Sequence, residues 1–392
     1  MNKNWRESKH ANEFRPRLMA LKVNRYSLPA SILLFWVCFV YFITIARPAL
    51  RLESDASGVL GDSFRYHAFA EEESFKSMAT ETLGLLNAGD YGFLNFGLFG
   101  VSFVGWVARK IFGNQYEIAI FIINYILLLL AVRNYSSVFY RLQGRYYRYF
   151  LVLLLCNPAL YPNIGFLNKE IFGIFFVSSF LKNMFMKRYF RFFAVAVISL
   201  IFRDAYFYVA ILFFLMNWLS WNSVIVLIGI SLAAPAILSN LTYSVAADMG
   251  ARSAYMFSPM LELEKYPMGY LVTYLPKLAI QLFTGLYPAR LVDITINDPY
   301  GAAFTLSSIA FFICFMVLGY RMLTKKYVPG AMILRLFFAY TFIFCLTPYS
   351  VHRIFIPLYP VVISMALLGS TGKLGRQRLS TEICDRRQSC LA

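Results

Sequence analysis

A single carboxylate held close to a hydroxyl-bearing acceptor can take the acceptor's proton as a new bond forms. The stretch Gly61-Asp62-Ser63-Phe64-Arg65-Tyr66-His67 offers one, with a tyrosine and a histidine within reach to orient a hydroxyl. It lies in the most acidic segment of the chain, Arg51 to Asp90, which holds eight acidic side chains against three basic ones in a protein of formal charge +17. Asp62 is chosen over the run Glu71-Glu72-Glu73 because clustered acids usually face water.

Cations supply the complementary chemistry. Asn157 to Glu170 is interrupted by Pro158 and Pro162 and ends in the pair Lys169-Glu170; a flexible ammonium there suits phosphoryl oxygens. Arg203-Asp204 interrupts an apolar stretch, where charges are costly and either pair with each other or line a polar cavity. Arg290 precedes an outer segment containing Asp293 and Asp298, and His352-Arg353 opens a turn leading to Pro357-Leu358-Tyr359-Pro360. Arg335 and Lys277 fall inside apolar runs and need partners or water. If these cations converge they form an anion site beside the acid, able to stabilise a phosphorylated leaving group.

The elements that must carry these residues are hydrophobic. With 59% hydrophobic residues, 18% aromatics, 15% charged residues and a mean hydropathy of +0.59, the composition is that of a multispanning membrane protein. A helix crosses about 30 Å of hydrocarbon in roughly 20 residues. Candidate spans are 28–46, 116–132, 147–164, 171–186, 192–218, 223–239, 269–285, 302–320, 328–347 and 354–368, which makes an all-α bundle of about ten transmembrane helices. The glycine-bearing stretch 93–107 reads as an outer interfacial helix lying on the membrane after the first outer loop. Residues 192–218 form either one long helix or two half helices meeting at Arg203-Asp204.

Three regions follow: a basic head (1–27), one helical membrane domain (28–369) with an acidic outer loop (47–115), and a basic tail (370–392). Basic residues collect in the head, in 133–148, 182–191 and 321–326, and in the tail, so these belong on the cytoplasmic side and both termini are inside. The first apolar run is long enough to span a bilayer and lacks a small-x-small cleavage pattern, so it reads as a retained anchor. The Cys and His spacings fit no zinc site and no disulfide framework, no phosphate-binding glycine loop is present, and the dispersed positive charge suits membrane lipids rather than nucleic acid. No metal and no cofactor are expected.

The first span, the outer loop with Gly61-Asp62 and Tyr66-His67, and Lys110-Ile111-Phe112-Gly113 before the second span together resemble the start of GT-C type membrane glycosyltransferases. The His352-Arg353 turn with its prolines is similar to a basic-aromatic-proline pattern near the end of those proteins. This resemblance implies that an acid of the first outer loop acts as base and that the sugar donor is a polyprenyl phosphate or diphosphate. Size, span number and aromatic content also look like bacterial O-antigen and capsule polymerases, some of which carry an arginine followed by ten residues and a glycine, the spacing of Arg290 to Gly301.

The expected function is therefore glycosyl transfer from a polyprenyl (di)phosphate-linked saccharide at the outer face of a bacterial inner membrane. Polymerisation of envelope polysaccharide units is placed ahead of single-sugar transfer, and a transporter or flippase of lipid-linked sugar is the alternative from another class. Asp62, Arg203 and Arg290 are the expected catalytic residues; Tyr66, His67, Lys169, Glu170, Asp204, His352 and Arg353 are expected to bind substrate. Membrane lipids and other membrane proteins of polysaccharide assembly are the further partners.

Overall fold

The computed structural model describes residues 32–33, 35–47, 61–87, 97–143, 154, 157–218, 263, 269–283, 299–324, 331–345 and 352–367. Among them the fold is all-helical, without strands. Two stretches, Phe99–Val138 and Thr305–Leu323, are long and apolar enough to cross a membrane, and Phe35–Thr44, Tyr189–Phe202, Asp204–Trp218, Met332–Cys345 and Phe355–Ala366 are shorter apolar helical stretches. The expected span 223–239, half of 147–164, and Arg290 lie outside the described residues.

After a first helical stretch over 35–47, whose last turn widens to a π-helix at Phe42–Ala46, the acidic loop contains α1 (Gly61–Ala70), α2 (Phe75–Asn87) and α3 (Gly97–Phe112). A short 3-10 turn, Gly113–Gln115, then leads into α4 (Tyr116–Gln143). Gly113 has φ +53°, a left-handed conformation that suits a residue without Cβ. The helix expected at 93–107 instead runs on to Phe112, because its end is tied down: Lys110 Nζ donates to the Glu73 carbonyl at 2.7 Å and Trp106 Nε1 to the Glu72 carbonyl at 3.1 Å. α3 also packs closely on the next part of the fold, since a Cβ at Gly100 would stand 2.5 Å from the Ile201 carbonyl oxygen.

The centre is built from α5 (Leu160–Gly165), α6 (Lys169–Phe185), α7 (Tyr189–Phe202) and α8 (Asp204–Trp218). Asn168, in extended conformation, caps α6 by accepting from the Glu170 backbone N–H at 3.2 Å. Lys187 (φ 55°) reverses the chain after α6, and Arg188 N–H donates back to the Asn183 carbonyl at 2.8 Å. Residues 192–218 thus form two half helices. At the single extended residue Arg203 (φ −168°, ψ 119°) the chain folds back on itself, and Phe193 meets Phe214 at 4.9 Å between ring centroids.

Cross-contacts set the directions. α4 and α6 run parallel: Asn124 Nδ2 reaches the Ile164 and Phe166 carbonyls near their first halves, while Asn134 Nδ2 reaches Ser178 and Ser179 further along. α7 returns antiparallel, with Phe172 against Phe202 and Phe180 against Phe192. α9 (Gly269–Phe283), α10 (Pro299–Leu323) and α11 (Ala331–Cys345) follow, then the 3-10 segment His352–Leu358 and α12 (Tyr359–Leu367). α11 is antiparallel to α8, Arg335 meeting Asn217 at one end and Phe344 meeting Tyr206 at the other. Arg335, expected to need a partner, sits in the second turn of α11 and finds one in Asn217.

The result is a bundle with two unlike ends. One holds the starts of α4, α6 and α8 and the end of α11, and gathers Glu71, Glu117, Glu170 and Asp204. The other gathers Arg133, Lys182, Arg188, Arg191 and Arg321, with no carboxylate of the described residues among them. Between the ends a continuous apolar core, from Phe121, Tyr135, Phe180 and Phe213 to Phe344 and Val362, encloses a few polar side chains. Asn124, Asn134, Ser178, Ser307, Thr341 and Ser364 are buried, whereas Ile122, Ile126 and Leu130 of α4, or Ile313, Met316 and Tyr320 of α10, form exposed apolar stripes at helical spacing.

Candidate functional site

The acid end joins most of the residues singled out by chemistry. Lys169 opens α6 and Arg203 closes the α7–α8 hairpin, and because α6 and α8 begin at the same end the two cations come together with Glu170 and Asp204. Asp204 senses both Arg203 and Lys169, and Arg203 senses Glu170 and Asp204. Glu170 is only 2% exposed. A carboxylate so enclosed is stabilised by nearby positive charge, and the Arg203 guanidinium lies within electrostatic reach of it.

Arg203 is itself boxed by aromatic rings. Its guanidinium carbon lies 4.9 Å from the centroid of Phe344 and 6.0 Å from that of Tyr206. Both distances suit a cation over a ring face. Tyr206 is fully buried; its hydroxyl donates to the Lys169 carbonyl at 3.4 Å, and Tyr340 stacks on Phe344 at 4.3 Å. Gly173 makes this packing possible, since a Cβ there would fall 2.1 Å from Tyr206 Oη and 2.7 Å from Pro357 Cγ. Pro357 belongs to the segment that carries His352 and Arg353, so their backbone is fastened against α6.

From the other side α1 closes on this cluster. The Lys169 ammonium stands 5.5 Å from the centroid of the buried Tyr66 ring. Asp62 is the second residue of α1, one turn before Tyr66 and on the same helical face. His67 next to it is 8% exposed, and its Nδ1 lies 3.0 Å from Tyr116 Oη. Tyr116 in turn donates to Glu71 Oε1 at 3.5 Å, and Glu71 pairs with Arg109 at 2.9 Å. At the rim, Arg47 bonds to Glu117 at 2.8 Å and ties the first helix to the start of α4.

Burial lowers the His67 pKa to about 4, so the imidazole is neutral at physiological pH. In the unfolded chain it titrates near 6.5. Its contribution is thus fully present above about pH 6.5 and is lost as pH falls toward 4, because the unfolded state binds the proton first. Thermal unfolding of the full chain followed from pH 7.5 to 4.5 is expected to show this loss, and His67→Gln to flatten it. An unchanged slope in that variant would assign the acid sensitivity to other groups.

No family model matches the chain, and no curated protein or solved structure resembles it significantly. The site therefore stands on its own geometry. Of the residues expected from sequence, Tyr66, Lys169, Glu170, Arg203 and Asp204 are brought together; His67 follows Tyr66 but turns to Tyr116, Asp62 lies one turn before Tyr66 on α1, and Arg290 is outside the described residues. Tyr206, Tyr340, Phe344 and the Glu71–Arg109–Tyr116 group were not anticipated. Only the spacing of Asn163, Asn168 and Asn124 in apolar surroundings, which proves to fix the approach to α6, carried a readable hint. Among the described residues no group of His, Cys, Asp and Glu is arranged to hold a metal ion.

Proposed function

We propose that the protein is a multi-pass integral membrane enzyme that transfers a sugar from a polyprenyl phosphate or diphosphate carrier to a hydroxyl acceptor. The carrying observation is the meeting of Lys169, Arg203 and the Tyr66–His67 turn of α1 at one end of the bundle. The Lys169 ammonium lies over the ring of Tyr66, one helical turn along α1 from Asp62, which supports a phosphoryl leaving group bound near that carboxylate.

A membrane setting is supported by the exposed apolar stripes at helical spacing on α4, α7 and α10, a surface that water would not stabilise. The span count of about ten remains part of this reading. The cations at the far end, which no carboxylate among the described residues offsets, support an orientation with that end in the cytoplasm, the acid end on the outer face of a bacterial inner membrane and both termini inside. In the reaction the acceptor hydroxyl attacks the anomeric carbon and its proton passes to the Asp62 carboxylate. The bond from that carbon to the carrier phosphate oxygen breaks, and the polyprenyl (di)phosphate leaves with the electron pair beside Lys169 and Arg203. Arg290 and Arg353 are assigned to the same diphosphate and His352 to the substrate, while Glu170, expected from sequence to bind substrate, is enclosed beside Arg203.

The break at Arg203 favours a second reading. Half helices meeting at a charge pair also suit a transporter of lipid-linked sugar. Full-length protein in proteoliposomes with a polyprenyl diphosphate-linked oligosaccharide separates the two. Transfer is expected to release free polyprenyl diphosphate and to give longer lipid-linked saccharide, as a ladder for a polymerase or a single step for a single-sugar transferase. Movement of the intact substrate across the bilayer without cleavage would sink the enzyme reading.

A further inference from the structure

The cationic end carries a second site. Lys182, near the end of α6, is held in place: its ammonium donates to Asn134 Oδ1 at 2.9 Å, and the Asn134 amide is fixed in turn by Ser179 at 3.0 Å and Ser178 at 3.3 Å. Asn134 is buried, so this is a built floor rather than a chance surface contact. Arg133 of α4, Arg188 of the α6–α7 turn and Arg191 of α7 all lie within electrostatic reach of that ammonium. Four like charges repel one another, and no carboxylate among the described residues offsets them. An anion binding between them would relieve the repulsion.

What adjoins the cations decides the kind of anion. Immediately beside Arg188 and Arg191, Phe190 is 88% exposed, and from it an exposed apolar row runs along α7 through Phe193, Val197 and Ile201. From Phe190 to Ile201 the row rises eleven steps of about 1.5 Å, roughly 16 Å, close to half the roughly 30 Å hydrocarbon thickness and so to the reach of one acyl chain. A headgroup phosphate at the α4–α6–α7 corner would leave its acyl chains lying along that row. We propose that this corner is a specific binding site for one anionic phospholipid of the cytoplasmic leaflet. This rests on the membrane setting proposed above but not on glycosyl transfer, whose residues lie at the opposite end.

Delipidated full-length protein would be titrated with phosphatidylglycerol or phosphatidylcholine in mixed micelles, and retained lipid counted by native mass spectrometry. One phosphatidylglycerol is expected to be retained in preference to phosphatidylcholine. Lys182→Gln/Arg188→Gln/Arg191→Gln is expected to weaken it about a hundredfold, at roughly fivefold per basic side chain near a lipid surface. The exposed single changes Arg188→Gln and Arg191→Gln, which do not touch the Asn134 floor, are expected to cost about fivefold each. Equal retention of both lipids, or no effect of the charge changes, would overturn the site. Inorganic phosphate stabilising the protein as well as phosphatidylglycerol does would make it a free-anion site and overturn the lipid assignment. Failure of the chain to insert into phosphatidylcholine vesicles would instead sink the membrane reading itself.

Discussion

Asp62→Asn is expected to slow glycosyl transfer by about 10²- to 10⁴-fold while leaving binding of the lipid-linked donor unchanged, the range lost when a positioned general base is removed. The argument is positional. Asp62 occupies the second position of α1, and one turn later Tyr66 carries the Lys169 ammonium over its ring. α1 is held there from two sides: the His67–Tyr116 bond fastens it to α4, and Ala70 packs so tightly on α3 that a Cβ at Gly105 would lie 2.9 Å from that of Ala70. Asparagine keeps the size and polarity of the side chain and removes only the ability to take a proton. The measurement is single-turnover transfer alongside equilibrium donor binding. Retained turnover would move the base elsewhere, and a parallel loss of donor binding would make Asp62 a binding group.

The charges of this site were legible in the sequence because each violates its surroundings. Lys169-Glu170 and Arg203-Asp204 stand out in apolar runs, and Asn168 ahead of Lys169-Glu170 has the residue type of a helix cap, the role it takes. Their meeting was not legible. It depends on α6 and α8 starting at the same end, which follows from the reversals at Lys187 and Arg203, and a hydropathy trace is equally compatible with one long helix through Arg203.

The aromatic part was silent for a different reason. In a chain with 27 tyrosines and 39 phenylalanines, nothing distinguishes Tyr206, Tyr340 or Phe344 from residues that merely fill space. The acidic run was half legible. Glu71 and Glu73 are exposed, as clustered acids usually are, yet the run anchors the end of α3 through Arg109 and two backbone carbonyls, contacts of long sequence separation that no local pattern announces.

Arg203→Met is expected to destabilise the protein by about 3 kcal/mol, the low end of the cost of stranding a buried charge. Methionine keeps much of the stem that packs between Phe344 and Tyr206, so the loss falls on electrostatics. Glu170, almost fully enclosed in the first turn of α6, would lose the positive charge of the nearby guanidinium, while Asp204 would keep the Ala205 N–H and Lys169. Glu170→Gln in the Arg203→Met background should then restore a large part of the stability, because it removes the stranded charge rather than replacing its partner. Thermal unfolding of the four proteins of this cycle in one detergent measures the coupling. Additive effects would show that Arg203 and Glu170 are held independently. In that case the hairpin turn would owe its position to aromatic packing alone, and Arg203 would be free to serve only as an anion ligand.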